Sequence, residues 1–240
     1  MNRKMKIAVS VFSGTLFLVV LLFLLPESWS RRVYNLTVGR FFRHTVESRL
    51  AQFGGAARAR LSLKTFPGEL RILAFKQEKR LELWGRNASD PAWNFLKEFR
   101  ILTASGTTGP KLREGDRQVP EGFYEIESLH PNSHFYLALK LAYPSAEDIA
   151  MARQDNRDLR RLGSAIMLHG KSGSIGCIAV SNADMEEIFL LTAKARPENT
   201  KILIFPCDFR SRPLPEKTRP GWIGERYRKL CQSLAEFPRE

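Results

Sequence analysis

Past Pro67-Gly68 the spacing of apolar residues changes, and that change limits the folds open to this chain. "ELRILAF" and "RLELW" are short alternating runs separated by "KQEK", which reads as a β-hairpin. "FLKEFRIL", "FYEIESL", "HFYLALKLAY", "SAIMLHG" and "TKILIFPCDF" read as further strands. "NADMEEIFLLTAKA" opens on an N-cap candidate and sets Met185, Ile188, Phe189 and Thr192 at helical spacing. "GERYRKLCQSLAEF" reads as an amphipathic helix, and "AEDIAMARQDNRDLRRLG" as a polar helix or loop. "TASGTTGPKLREGDRQVPEG" is a long loop, and a loop of that length in a packed domain is usually functional or disordered. Many short strands with a few helices predict a β-rich α+β domain over residues 66–240.

Upstream the pattern differs. Arg3, Lys4 and Lys6 precede an uncharged apolar run from Ile7 to Leu25. As a helix this run is about 28 Å long, close to a hydrocarbon core of about 30 Å. Residues 1–30 therefore read as an uncleaved signal anchor, with cleavage after Ser30 as the rival, because Ser28 and Ser30 are small. Arg31, Arg32, Arg40 and Arg43 compete with the N-terminal cluster, so charge leaves the orientation open. Residues 31–65 read as a basic juxtamembrane linker. Val46, Leu50 and Phe53 recur at helical spacing there, and Gly54-Gly55 interrupts them.

The net charge of +13 on 240 residues calls for an anionic partner: nucleic acid, anionic lipid or an acidic polymer such as a bacterial cell wall. Zinc chemistry is not indicated. Cys177, Cys207 and Cys231 form no close pair, and His130 and His134 are separated by the turn formers Pro131 and Asn132. Cys207 and Cys231 are a conceivable disulfide in an oxidising compartment, and buried thiols otherwise.

"HGKSGSIGC", residues 169–177, is the chemically charged stretch. Its "GKS" is no phosphate loop. Ala165 stands where that loop needs glycine, and "GSIGC" does not start a helix readily. A cysteine nucleophile with a histidine base fits better. A thiol is weakly ionised at neutral pH, and the glycine-rich turn lets His169 fold back beside Cys177. Backbone N–H groups at Gly176 and Cys177 would then face an oxyanion. From the residues alone, a glycine-rich turn around a buried cysteine explains the stretch equally well.

"HGKSGSIGCIAV" resembles the active-site motif of YkuD-type L,D-transpeptidases, and "VPEGFYEI" resembles that family's turn and strand. Five blocks resemble the YafK-like branch in order and spacing: "LRILAFKQEKRLELW", "GPKLREGDRQVPEGFYEI", "HPNSHFYLALKLAYP", "HGKSGSIGCIAVSNADMEEIF" and "ILIFPCDFR". The resemblance implies a β-sandwich-like catalytic domain. It also implies roles: Cys177 as nucleophile, His169 as base, Gly176 as the glycine whose carbonyl orients the imidazole, and Ser174 as support of the loop. Gly170, Arg117 and Lys111 are candidates for contact with substrate. The implied substrate is a peptidoglycan stem peptide, attacked at the L-centre carbonyl of meso-diaminopimelate, with no metal or cofactor and no nucleic acid. Transfer to an amine makes a transpeptidase, and transfer to water makes a peptidase that trims stems or releases a wall-attached lipoprotein. A wall-binding protein without turnover is the other class. The implied place is the periplasm, held at the inner membrane. Ala179 stands where the wider family often has arginine, and the His-to-Cys spacing is short.

Overall fold

The structure, a computed structural model, describes residues 43–173 and 176–239. The apolar run from Ile7 to Leu25 lies outside the described residues. Among the described residues no helix is long and apolar enough to cross a membrane.

The expected hairpin forms as β1 (Glu69–Phe75) and β2 (Arg80–Arg86), with Lys76 to Lys79 as its turn. The other strands are β3 (Asn94–Arg100), β4 (Thr103–Ala104), β5 (Gly122–Ser133), β6 (Tyr136–Leu141), β7 (Met167–His169), β8 (Ile178–Ala179) and β9 (Thr200–Phe205). They join one sheet in the order β3-β2-β1-β9-β5-β6-β7-β8-β4. The sheet curls at β5. Gly122 to Glu125 pair with β9, whereas the rest of β5 pairs with β6 through two register shifts. Such irregularities bend a strand and let it serve two sheet faces. The α+β, strand-rich expectation is met, with a single curled sheet in place of two separate layers.

Among the described residues four α-helices accompany it: α1 (Val46–Leu61), α2 (Ala146–Gln154), α3 (Asn182–Ala195) and α4 (Ile223–Ser233). The cap of α3 is Ser181, whose hydroxyl accepts from the Asp184 N–H, and α2 carries a capping box between Ser145 and Asp148. Alternation along the central strands sorts the core into two parts. Leu70, Ile72, Ala74, Ile202 and Ile204 pack with α1 and α3, and Leu73, Phe75, Leu203 and Phe205 pack with α4.

The long loop is tied down at its base. The buried Glu121 carboxylate accepts from Lys76 Nζ at 2.8 Å, from the Gly109 N–H at 2.8 Å and from the Tyr227 hydroxyl at 2.5 Å. Lys76 Nζ also donates to the carbonyl of Val119 at 3.0 Å.

Helix α1 corrects the reading of residues 31–65 as a linker. It runs through Gly54-Gly55 to Leu61, capped by Thr45, and the packed unit begins at Thr45 rather than at 66. A helical glycine costs about 1 kcal/mol relative to alanine. Burial of Phe53, Ala57 and Leu61, spaced four apart, offsets that cost. Phe53 meets Phe189 of α3 edge-on at 6.2 Å. Arg60 adds ion pairs to Glu186, which is partly exposed, and to the buried Glu187. The sequence looks solvated here because only one narrow stripe of α1 is apolar, and its partner lies over 120 residues away. Phe53→Ala is expected to lower unfolding free energy by about 3–5 kcal/mol, measured by denaturant titration. A change within error would mean that α1 is dispensable.

Candidate active site

Strands β7 and β8 run parallel with Leu168 opposite Ile178 and His169 opposite Ala179. Leu168 and Ile178 belong to the core. Alternation therefore turns His169 to the opposite face. Continuing the register back by two residues from Ala179 sets Cys177 diagonal to His169 on that face. Side chains so related have Cβ atoms about 7–8 Å apart, within reach of a long side chain. Two short parallel strands thus set the predicted nucleophile and base on one face of adjacent segments.

The His169 ring is fully buried. Its Nδ1 lies 2.6 Å from the carbonyl oxygen of Gly170. A carbonyl only accepts, so the ring proton belongs on Nδ1 and the lone pair on Nε2. Nε2 is buried and has no hydrogen-bond partner among the described residues. Burial pushes the imidazole below its usual pKa range, against the hydrogen bond to Gly170. The ring rests neutral, as a base must.

Two glycine expectations are corrected here. The carbonyl that meets the imidazole is that of Gly170, not Gly176. Gly176 has φ +88° and gives its N–H to Ser105 Oγ, so that N–H is not aimed at an oxyanion. Gly170 is in turn a close-approach glycine, not a surface open to substrate. A Cβ there would lie 2.7 Å from Asn182 Oδ1 and 3.1 Å from the Phe135 carbonyl. The sequence could not separate these glycines, because each neighbours a candidate catalytic residue. Ser105 was missed altogether. It follows the two-residue strand β4, which pairs with β8 as Ala104 opposite Ile178, and so short a strand leaves no periodic signal.

Cys177 is half-buried, and its thiol donates to the Ala165 carbonyl at 3.8 Å. Burial pushes the thiol above its usual range, while the Met167 backbone and the Lys111 charge pull the other way. Lys111, a candidate for contact with substrate, is not open to solvent. It is buried, with Nζ donating to Asp116 Oδ1 at 2.6 Å and to the Arg113 carbonyl at 2.9 Å. Lys111 and the exposed Arg117 line a cavity of about 160 Å³ with Gly163, Ala165, Ile166 and Gly176. Lys111 is near enough for its charge to act on the Cys177 thiol.

Backbone strain gathers here too. Arg117, Ala165 and Lys171 have φ of +55°, +57° and +61°. Such conformations cost side-chain-bearing residues free energy and concentrate at functional sites. Ser174 lies outside the described residues. His130 Nε2 lies 3.0 Å from Ser128 Oγ. No cluster of three or more His, Cys, Asp or Glu among the described residues is placed to hold a metal ion. Cys207 and Cys231 are separate thiols, and burial pushes Cys207 up to about 11.

Comparison with known proteins places this arrangement. The chain is 36% identical over 120 residues to "Putative L,D-transpeptidase YafK" of Escherichia coli K12. The match covers 49% of this chain and 45% of that relative, so the chain spans less than half the length of the relatives it matches. Among solved structures, it is similar to the helical cell shape determining protein Pgp2 of Campylobacter jejuni, at 22% identity and TM-score 0.47, covering 58% of this chain and 48% of that one. Bd1075 of Bdellovibrio bacteriovorus is similar at 22% identity and TM-score 0.41, covering 72% and 57%. The sequence model of the YkuD family, the L,D-transpeptidase catalytic domain, matches residues 70–204, from β1 through β9. This chain therefore belongs to the YkuD family of L,D-transpeptidase catalytic domains and is YafK-like.

Proposed function

We propose that this protein carries out cysteine-dependent acyl transfer on peptidoglycan stem peptides, with Cys177 as nucleophile and His169 as general base. The observation that carries the reading is the lone-pair-bearing Nε2 of a buried neutral histidine, with no partner among the described residues, on the same face as Cys177 just before β8.

The reaction follows from that geometry. The Cys177 thiol loses its proton to His169 Nε2 as Sγ attacks the carbonyl on the L-centre of meso-diaminopimelate. The tetrahedral adduct collapses to a thioester as the C–N bond breaks, and His169 returns the proton to the departing amine. An incoming amine or water then attacks the thioester, giving up its own proton to His169, and Cys177 leaves with a proton regained from it. In the resting state burial raises the thiol and lowers the imidazole, which biases each toward its neutral form. Lys111 favours the thiolate as it forms, and the exposed Arg117 suits a carboxylate of the stem.

Hydrolysis is the second reading. Ala179 pairs with His169 where arginine would add bulk and charge, and the small side chain is what favours a hydrolytic share. On that reading the enzyme trims stems or releases a wall-attached lipoprotein. The net charge of +13 suits an acidic wall polymer. The place of action we propose is the periplasm, with residues 1–30 as inner-membrane anchor or cleaved signal. A C-terminal reporter active only in the periplasm should report activity; a cytoplasmic signal would reverse that assignment.

Incubation with purified sacculi, followed by mass spectrometry, should give released and joined stem fragments. Cys177→Ala is expected to abolish them, and His169→Ala to slow their formation by about 10²–10⁴-fold. The double variant should be little worse than Cys177→Ala, since the pair acts as a unit. Full activity in Cys177→Ala would leave only a wall-binding role. Products that never respond to added amine would make the enzyme a peptidase.

The neutral resting pair has its own test. Alkylation of Cys177 should accelerate only above the ordinary cysteine pKa of about 8.5, and Lys111→Met should move that rise to still higher pH. Fast alkylation at pH 6 would reveal a preformed thiolate.

A further inference from the structure

We propose that Phe135 is a positioning residue for the reaction, its ring serving as the wall that holds the His169 imidazole in its working orientation. This rests on the reading of His169 as the base. The Phe135 and His169 rings stack with centroids 4.3 Å apart and planes 26° apart. Phe135 is 39% exposed, and the histidine beneath it is 0% exposed. A large apolar side chain at a hairpin tip thus spends one face on the imidazole and keeps water from it.

The tip is built to stay there. Phe135 lies between β5 and β6, and Tyr136 after it has φ +79°. The Phe135 N–H donates to Ser133 Oγ at 3.1 Å, and Lys171 Nζ donates to the His134 carbonyl at 2.9 Å. The Gly170 N–H donates to the Leu137 carbonyl at 3.1 Å. Two residues that directly follow His169 are therefore tied to the hairpin that carries Phe135. Tyr136 anchors the hairpin from the other side, donating its hydroxyl to Glu186 of α3 at 2.7 Å.

With Nδ1 fixed on Gly170 and one ring face fixed by Phe135, the imidazole has one direction left for Nε2. The contact serves both protonation states. It excludes water from the neutral ring, and the face of an aromatic ring attracts the imidazolium formed when the thiol proton arrives. The charged and titratable groups on the surrounding elements include Cys177 before β8, Lys171 after β7, and Glu125, Glu127, His130, His134, Tyr136 and Lys140 on the hairpin. Lys171 is engaged with the His134 carbonyl and Lys140 with Glu127.

The test compares Phe135→Ala with Phe135→Tyr in the full chain, using a muropeptide donor across pH and the NMR titration of the His169 ring, assigned with His169→Gln. In Phe135→Ala, kcat should fall about 10- to 100-fold, with KM little changed. The acid limb of kcat/KM and the His169 titration should both move up toward the ordinary histidine value of about 6.5. Phe135→Tyr should restore both. An unmoved His169 titration in a folded Phe135→Ala protein would overturn the proposal, as would a loss confined to KM. The NMR readout needs no turnover. A shifted titration alongside full activity in His169→Ala would therefore uphold the ring contact and overturn the base assignment instead, taking the catalytic part of this proposal with it.

Discussion

The buried carboxylate of Glu121 is the constraint on which the active-site wall depends. It is reached by the Lys76 ammonium from the end of β1, the Tyr227 hydroxyl from α4 and the Gly109 N–H from the long loop. Next to it, Arg226 donates to the Glu121 carbonyl and to Asp148 of α2. Breaking one partner of such a buried pair typically costs about 3–5 kcal/mol, because the other charge is left uncompensated. The clamp joins β1, both helices and the loop at one point. Lys111, Asp116 and Arg117 lie between its loop contacts at Gly109 and Val119, so the wall beside Cys177 is held from its base.

Beyond the clamp, charge is handled by burial more than by pairing. His169 and Cys177 are each driven toward their neutral forms. Lys111, whose charge acts on the thiol, is partly neutralised by Asp116 at 2.6 Å. Burial thus biases both groups toward the forms that carry no charge. Asp116 contributes twice, since its other oxygen accepts the N–H groups of Leu112 and Arg113 and thereby shapes the loop.

The hairpin of β5 and β6 is the second mechanical part. One end of it turns the sheet at Ile126, and its tip lies over the imidazole. Arg49 of α1 donates to the Pro131 carbonyl at 3.0 Å and stacks over Tyr136 at 5.5 Å. Helix α1, outside the span matched by the family, thus braces the hairpin that shields His169.

Much of this was legible in the residues. Alternation located β1 and β2 and their four-residue turn, helical spacing located α3 and α4, and the glycine-rich "HGKSGSIGC" marked the chemistry. Those signals are local: one strand or helix displays its buried face within its own few residues. What lay beyond them was decided by distant partners. Helix α1 runs through two glycines because α3 covers its narrow apolar stripe. Strands β7 and β8 are only three and two residues long, and their register exists because neighbouring strands supply the hydrogen bonds. The choice of Gly170 over Gly176 for the imidazole, the seat of Ser105, the burial of Lys111 and the ring of Phe135 over His169 all join residues brought together by the curl of the sheet. The sequence by itself determined which chemical groups are present and which elements they sit on. Only the tertiary structure decided which group faces which, because hydrogen bonds and burial depend on positions in space that no local period encodes.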